Sequence, residues 1–286
     1  MPIFPRTEVA GISLPRLLIG SNWILGYSHT TPSADQMIKR RFATPEAVCE
    51  LLEAYLGYGI DALMAPLDPD SPLLAGIRMA EQRTGKHIHL IDTPILDMAD
   101  TKEGRAAARR RIELSAKMGS TFCLIHHASA ELLVNKLTAS MPRLPDYLDM
   151  IRQSGLIPGL SAHMPELILY SDENGYDVQT YIQIYNCVGF MMQIEVETVS
   201  RIIHQAKKPV MTIKAMAAGR VSPYVGLSYS FATIRPCDMV TLGAHTPDEV
   251  HEDVEIALAA IERRFPDMEG RSSPAPDTAI LAQPSK

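Results

Sequence analysis

Ionisable side chains follow five of the short apolar runs in this chain of 286 residues. These residues are Asp92, His126, His163, Lys214 and His245. Carboxylates, imidazoles and amines transfer protons, bind metal ions or attack carbonyl carbons. The five are therefore the first candidates for chemistry, provided that the fold brings the ends of their runs together.

The apolar runs alternate along the chain with segments of helical pattern. Thr44-Pro45-Glu46 and Thr246-Pro247-Asp248 each combine an N-cap, a proline at the first helical position and an acid in the first turn. Alternating strands and helices predict parallel pairing through right-handed crossovers, and eight such units predict a closed α/β fold, the (β/α)8 TIM barrel. The predicted strands are Leu17–Ser21, Ile60–Ala65, His87–Asp92, Thr121–His126, Ile157–Ala162, Tyr181–Asn186, Pro209–Lys214 and Asp238–Gly243.

We expect one barrel domain over residues 1–268, with residues 1–16 forming a plug or hairpin beneath it. Residues 269–286 are rich in Pro, Ser and Ala and predict a flexible tail. Barrel enzymes carry out their chemistry at the carboxyl ends of the strands. Because the candidate residues follow strands, we expect an active site at that mouth. On a strand, neighbours face opposite sides, so we expect His127 to face away from it if His126 faces the axis.

Composition limits the classes of partner. Hydrophobic residues make up 46% of the chain and charged residues 21%, so a large core is expected. The net charge of −6 offers no basic footprint for nucleic acid. Neither a signal peptide nor a membrane span is predicted, and four scattered cysteines suit a reducing compartment, so we expect a cytoplasmic protein. The tail and the apolar segment 188–192 are candidates for contacts in a homo-oligomer.

The segment 22–41 is too long for a bare connection and is a candidate lid. It carries Trp23, Tyr27 and His29, an aromatic and hydrogen-bonding set that suits a polyhydroxylated small molecule; an ordinary surface excursion is the alternative. Arg220 follows strand seven and is a candidate for holding an anionic group, and His245 is a candidate for substrate binding at the last strand end.

Seven segments resemble the aldo-keto reductases, in the order and spacing of that family. They are GISLPRLLIGSNWILG (11–26), AYLGYGIDALMAP (54–66), TFCLIHHAS (121–129), GLSAHMPE (159–166), QIYN (183–186), KPVMTIKAMAAGRV (208–221) and MVTLGAHTPDEVHED (239–253). The resemblance implies an aldo-keto reductase-like barrel. It also implies carbonyl reduction by NADPH with an Asp, Tyr, Lys and His tetrad.

The chain departs from that pattern where the chemistry is done. Met64 stands at the tetrad's Asp position, Pro69 near its Tyr, and Asp92-Thr93 at its Lys, so only His126 matches. Lys214 replaces the aromatic residue that stacks on nicotinamide, and the basic residue for the cofactor phosphate is missing near strand eight. Met and Pro cannot donate a proton, and an ammonium repels oxidised nicotinamide. NADP is therefore the less favoured cofactor, although Ser161 persists where the family binds the carboxamide.

Three mechanisms fit the remaining set. An imidazole and a lysine of lowered pKa can act as base and acid beside a carbonyl. Asp92, His126 and His163 can bind a divalent Zn, Mn or Fe ion that polarises the carbonyl. Lys214 can form a Schiff base. Alternatively, Lys214 pairs with Asp92 or Glu195 and has no chemical role.

The leading hypothesis is an enzyme that acts on a small hydroxylated, sugar-like carbonyl compound by proton transfer without net redox. It would be a lyase, isomerase or epimerase of carbohydrate metabolism, with or without a divalent metal. Its catalytic candidates are Asp92, His126, His163 and Lys214. An altered NAD(P)H-dependent oxidoreductase and a non-catalytic binding barrel are the alternatives.

Overall fold

An antiparallel hairpin opens the chain in the computed structural model, which describes residues 2–268; the predicted tail 269–286 lies outside the described residues. Strands β1 (Arg6–Val9) and β2 (Ile12–Pro15) are joined by Ala10 and Gly11, whose φ angles are 52° and 82°. Positive φ at both central residues is the geometry of a type I′ hairpin turn.

Eight parallel strands close into a barrel in chain order, with the last strand paired to the first. They are β3 (Leu17–Gly20), β4 (Ala62–Ala65), β5 (His89–Asp92), β6 (Phe122–Ile125), β7 (Ile157–Ala162), β8 (Tyr181–Ile184), β9 (Val210–Ile213) and β10 (Met239–Leu242). Each strand lies inside one predicted run, so the predicted (β/α)8 barrel is confirmed.

Helices connect the strands on the outside of the barrel. They are α1 (Asn22–Leu25), α2 (Pro32–Arg41), α3 (Pro45–Gly57), α4 (Pro72–Thr84), α5 (Lys102–Lys117), α6 (His127–Ala130), α7 (Leu144–Gln153), α8 (Glu166–Asn174), α9 (Val196–Gln205), α10 (Pro223–Thr233) and α11 (Pro247–Glu262). The two predicted caps are present: Thr44 accepts a hydrogen bond from the Ala47 N–H at 3.4 Å, and Thr246 accepts one from Glu249 at 3.1 Å. Each cap satisfies a backbone donor that the helix leaves unpaired.

Side chains alternate between two buried layers along each strand. Phe122 and Leu124 of β6 belong to the cluster inside the barrel, whereas Cys123 and Ile125 belong to the layer between strands and helices. Leu14 of the hairpin joins the inner cluster and closes it from below. Wherever a strand continues regularly, this alternation directs the next residues toward or away from the open mouth.

No helix within residues 2–268 combines the length and the apolar composition needed to span a lipid bilayer.

Candidate functional site

A cavity of about 470 Å³ opens at the carboxyl ends of the barrel strands. Six of the sequence-predicted site residues line it: Trp23, Tyr27, His29, His126, His163 and Lys214. Among residues 2–268, no Asp or Glu side chain lines this cavity. Its charge therefore comes from one ammonium group and from whichever imidazoles are protonated.

His126 reaches the cavity because it continues the inward alternation of Phe122 and Leu124. Its Nδ1 accepts a hydrogen bond from the Ala128 N–H at 3.3 Å, which assigns the ring proton to Nε2. Burial, and second the neighbouring His127, lower the pKa of His126 to about 4. At neutral pH this residue is thus a neutral imidazole that can donate a hydrogen bond from Nε2.

His127 and His163 form a stack beside His126. The centroids of His127 and His163 are 3.7 Å apart with 16° between the ring planes, and those of His126 and His127 are 4.2 Å apart. Burial and the adjacent His127 lower the pKa of His163 to about 3, and burial also lowers the pKa of His127. The pKa values of all three rings are lowered, and a charge on one ring would repel a charge on the next, so neutral imidazoles predominate at pH 7.

The expectation that His127 faces away from the cavity was wrong. Strand β6 ends at Ile125, and His127 is already the first residue of α6, so the alternation of a strand no longer applies to it. The ring of His127 turns back over the mouth, where it packs on His163. Glu131 holds the facing loop, because its Oε1 accepts hydrogen bonds from the backbone N–H groups of His163 and Met164 at 2.7 and 3.0 Å.

Lys214 follows β9 directly and adopts a φ of 65°, in the left-handed region that is costly for a residue with a Cβ. Its Nζ lies 2.9 Å from His29 Nε2, so it is bonded to neither Asp92 nor Glu195. Asn22 Nδ2 lies 3.2 Å from the same nitrogen. Because both neighbours bring N–H donors, His29 Nε2 is the unprotonated nitrogen of a neutral ring.

Burial lowers the pKa of Lys214 to about 8. Burial also lowers the pKa of His29, and the positive charge of Lys214 adds to that effect. A lysine with this pKa presents a substantial fraction of neutral amine near physiological pH, which an ordinary lysine does not.

The segment after β3 supplies one wall of the cavity. Trp23 and Asn22 belong to α1, and Tyr27 and His29 lie in the turn that leads to α2. Ser28 anchors this turn, because its hydroxyl donates to Asp35 Oδ1 at 2.6 Å and its N–H donates to the same oxygen at 2.8 Å. The predicted loop thus contains two helices and brings its aromatic and imidazole side chains to the mouth.

Asp92 does not join this cavity, contrary to the prediction. It lies on the outward face of β5 with Leu90, whereas Ile91 faces the axis. The carboxylate is fully buried and accepts hydrogen bonds from Arg111, Ser115 and the Leu67 N–H at 3.0, 2.6 and 2.9 Å. Asp92 therefore ties α5 to the barrel wall.

Two predicted substrate-binding residues also lie outside the cavity. The guanidinium of Arg220 packs over the Phe190 ring, 4.1 Å from its centroid. His245 packs edge-on against Trp23 and Phe42, with ring centroids 5.8 and 5.7 Å apart. Packing against these rings holds both side chains away from the lining of the cavity.

The proposed metal set is not assembled. Asp92 is separated from the cavity that His126 and His163 line, and the His163 ring is stacked on His127 with 3.7 Å between centroids and 16° between planes. Within residues 2–268, no group of three His, Cys, Asp or Glu side chains is arranged to hold a metal ion. The described residues therefore do not fit the divalent cation that the sequence suggested.

The residues that line the cavity can likewise be compared with those that bind the nicotinamide cofactor in the resembled family. Met64 and Thr93 line the cavity near the tetrad's Asp and Lys positions, and Lys214 lines it where the family has an aromatic ring. Ser161, the expected carboxamide contact, also lines it. A cation at the ring-stacking position and a thioether at an acid position do not suit hydride transfer to a carbonyl.

Sequence reasoning undervalued two cavity residues, His127 and Thr93. Thr93 could have been found from strand alternation, since it shares the inward side with Ile91. His127 had no such signal, because its position depends on where β6 gives way to α6.

Comparisons with known proteins agree on the fold. A protein from Pseudomonas aeruginosa described as an aldo-keto reductase aligns with a TM-score of 0.63 and 17% identity, over 90% of this chain and 96% of its own. The glycerol dehydrogenase of Gluconobacter oxydans aligns at 0.56 and 14%, over 94% and 99%. Aldose reductase from Giardia lamblia aligns at 0.52 and 13%, over 89% of each chain.

No family model matches the sequence, and no curated protein matches it. At these identities the structural likeness is a statement about fold, and site chemistry must be argued from the residues present. The order of the strands, the hairpin beneath them and these neighbours together show that the chain forms an aldo-keto reductase-like (β/α)8 barrel.

Proposed function

We propose that this protein is an enzyme that moves a proton next to the carbonyl of a small hydroxylated compound, without net oxidation or reduction. The supporting observation is the meeting of Lys214 with the neutral imidazoles of His126, His127 and His163 in one cavity that no described carboxylate lines. Epimerases, isomerases and dehydratases need this combination of a base near neutrality and a donor for an oxyanion.

The roles follow from protonation. His126 carries its proton on Nε2 and stays neutral, so it can donate a hydrogen bond to the carbonyl oxygen as negative charge develops there. Lys214, whose pKa is about 8, exchanges protons readily at physiological pH. Its contact with His29 gives those protons a path to solvent, because His29 is exposed.

The lining also suits hydroxyl groups on the substrate. Asn22, Thr93 and Ser161 offer neutral donors and acceptors, and Trp23 offers an apolar ring face. Such a surface recognises several hydroxyls on a short carbon skeleton. The cavity holds about 470 Å³, which leaves room for such a skeleton.

Hydrogen exchange at carbon tests the proposal without knowledge of the natural substrate. Dihydroxyacetone and glyceraldehyde are incubated with the protein in D₂O, and NMR follows deuterium entry at the carbon beside the carbonyl. We expect exchange above the uncatalysed rate, reduced at least about tenfold in His126→Ala, which loses a general catalyst. His87→Ala, which removes an exposed histidine outside the cavity, is the matched control and should keep the rate. Full exchange in His126→Ala would refute the proposal.

Cofactor titration separates this proposal from the oxidoreductase alternative. Trp23 is the only tryptophan in the chain and lines the cavity, so its emission reports binding there. Saturable quenching by NADPH or NADH, together with consumption of the reduced cofactor by a carbonyl compound, would favour the reductase. We expect neither.

A further inference from the structure

We propose that Lys214 bonds covalently to its substrate, forming an imine between Nζ and the carbonyl carbon of a small aldehyde or ketone. This inference rests on the proposed function for its substrate class, but it adds a chemical step that proton transfer alone does not require. The geometry of Lys214, of its partner His29 and of the cavity around them supports it.

The first support is the position of the amine. Lys214 follows β9 and lines the cavity, and within residues 2–268 its Nζ is bonded to His29 Nε2 at 2.9 Å. A structural lysine normally pairs with a carboxylate, and the described lining residues provide none. The nitrogen therefore faces the cavity beside a neutral partner, which can accept its proton but carries no negative charge to stabilise the ammonium form.

The second support is the backbone. Lys214 has a φ of 65°, and Ala217 and Ala218 just beyond it have φ values of 50° and 55°. Left-handed residues with a Cβ are strained and persist where the surrounding structure requires them. Lys214 lies four residues after Val210, so a regular strand would direct both side chains to the same outer face. The left-handed turn brings its side chain to the mouth, where a regular extension of β9 would carry it outward.

The third support is protonation. Imine formation requires the neutral amine, and burial lowers the pKa of Lys214 to about 8. Roughly a tenth of the molecules then carry a neutral Nζ at pH 7, against about one in three thousand for a lysine of ordinary pKa. His29 Nε2 can accept the departing proton and pass it to water.

The step is balanced without any oxidant or reductant. The Nζ lone pair attacks the carbonyl carbon, the C–N bond forms, and the π electrons move to oxygen. One proton moves from the nitrogen to that oxygen, which gives the carbinolamine. A second proton, supplied by solvent, lets the hydroxyl leave as water while the nitrogen lone pair forms the C=N bond of a protonated imine. The protonated imine then withdraws electrons from the neighbouring carbon, and an imidazole of the stacked cluster can remove a proton from it.

Reductive trapping tests the inference directly. The full-length protein is incubated with dihydroxyacetone at pH 7, and borohydride then converts any imine into a stable secondary amine. Peptide mapping by mass spectrometry locates the adduct and gives a labelling rate for each lysine. We expect Lys214 to be labelled at least about tenfold faster than the exposed Lys136, since its neutral fraction is much larger.

Several outcomes would overturn the inference. These are equal labelling of Lys214 and Lys136, labelling of surface lysines only, and no adduct at all. In Lys214→Arg, which keeps the charge but cannot form the imine, the fast adduct should vanish while Lys136 is labelled as before. Circular dichroism confirms that this variant is folded.

The two hypotheses fail separately. Deuterium exchange without an adduct at Lys214 would leave the proposed function standing and reject the imine. An adduct at Lys214 without exchange would support the imine and reject proton transfer as the activity.

Discussion

Replacing Asp92 by alanine removes the acceptor of a buried hydrogen-bond network. The carboxylate is inaccessible to solvent and accepts from Arg111 Nη1 at 3.0 Å, Ser115 Oγ at 2.6 Å and the Leu67 N–H at 2.9 Å. The substitution leaves the guanidinium without its carboxylate and the amide of Leu67 without an acceptor. Loss of one partner of a buried ion pair costs about 3–5 kcal/mol.

That loss should be visible by thermal denaturation. At about 2–4 °C per kcal/mol for a chain of this size, the Asp92→Ala midpoint should fall by roughly 6–20 °C. Asp149→Ala, which removes an exposed carboxylate from α7, is the matched control and should change stability by less than about 0.5 kcal/mol. The double variant Asp92→Ala/Arg111→Met should lose less than the sum of its single variants, because no buried charge is left unpaired.

The same variant shows whether Asp92 has any chemical role. Asp92 does not line the cavity, so Asp92→Ala should keep deuterium exchange within about threefold of the wild type at a temperature where it is folded. An unchanged midpoint together with abolished exchange would refute this account and return Asp92 to the catalytic site.

Two further predictions concern the imidazole stack and the wall beneath Lys214. Burial holds the pKa of His126 near 4 and that of His163 near 3, below the ordinary 6.5. Between pH 6.5 and these lower values, the unfolded chain therefore binds more protons than the folded chain. Stability should therefore fall by about 1–3 kcal/mol as pH falls from 7 to 4.5, after allowance for partial exposure. Urea denaturation at several pH values measures this loss; an equally steep fall in His126→Gln/His163→Gln would contradict its assignment. Separately, a Cβ at Gly226 would lie 2.7 Å from the Ala215 carbonyl oxygen. Gly226→Ala should therefore lower the free energy of unfolding, measured with urea, by about 1–3 kcal/mol, whereas the control Ser228→Ala should be nearly neutral. An unchanged urea midpoint in Gly226→Ala would contradict the close packing of α10.

Much of the fold could be predicted because its signals are local. Each apolar run is short, and each contains one observed strand. The predicted caps at Thr44 and Thr246 are formed by their own side chains. Strand order followed from chain order, since successive βα units of a barrel pair with their neighbours.

The site was harder to predict, because it depends on how each strand ends. His126 and His163 continue the inward alternation of their strands and reach the cavity. Asp92 falls on the outward side, one residue before Thr93, and a shift of one residue reverses the face of a strand side chain. Polar residues at strand ends can be assigned to the cavity or to the outer layer only when it is known which residues of each strand face inward.

Lys214 and His127 show the complementary case, in which the backbone overrides parity. Both occupy positions that a regular strand would direct outward, yet both line the cavity. A left-handed φ turns Lys214 to the mouth, and the start of α6 turns His127. Strain of this kind costs free energy and persists only where packing compensates for it. Lys214, the amine that we propose as nucleophile, and His127, an imidazole of the same cavity, thus both depart from the regular alternation, as is expected of a site with its own chemistry.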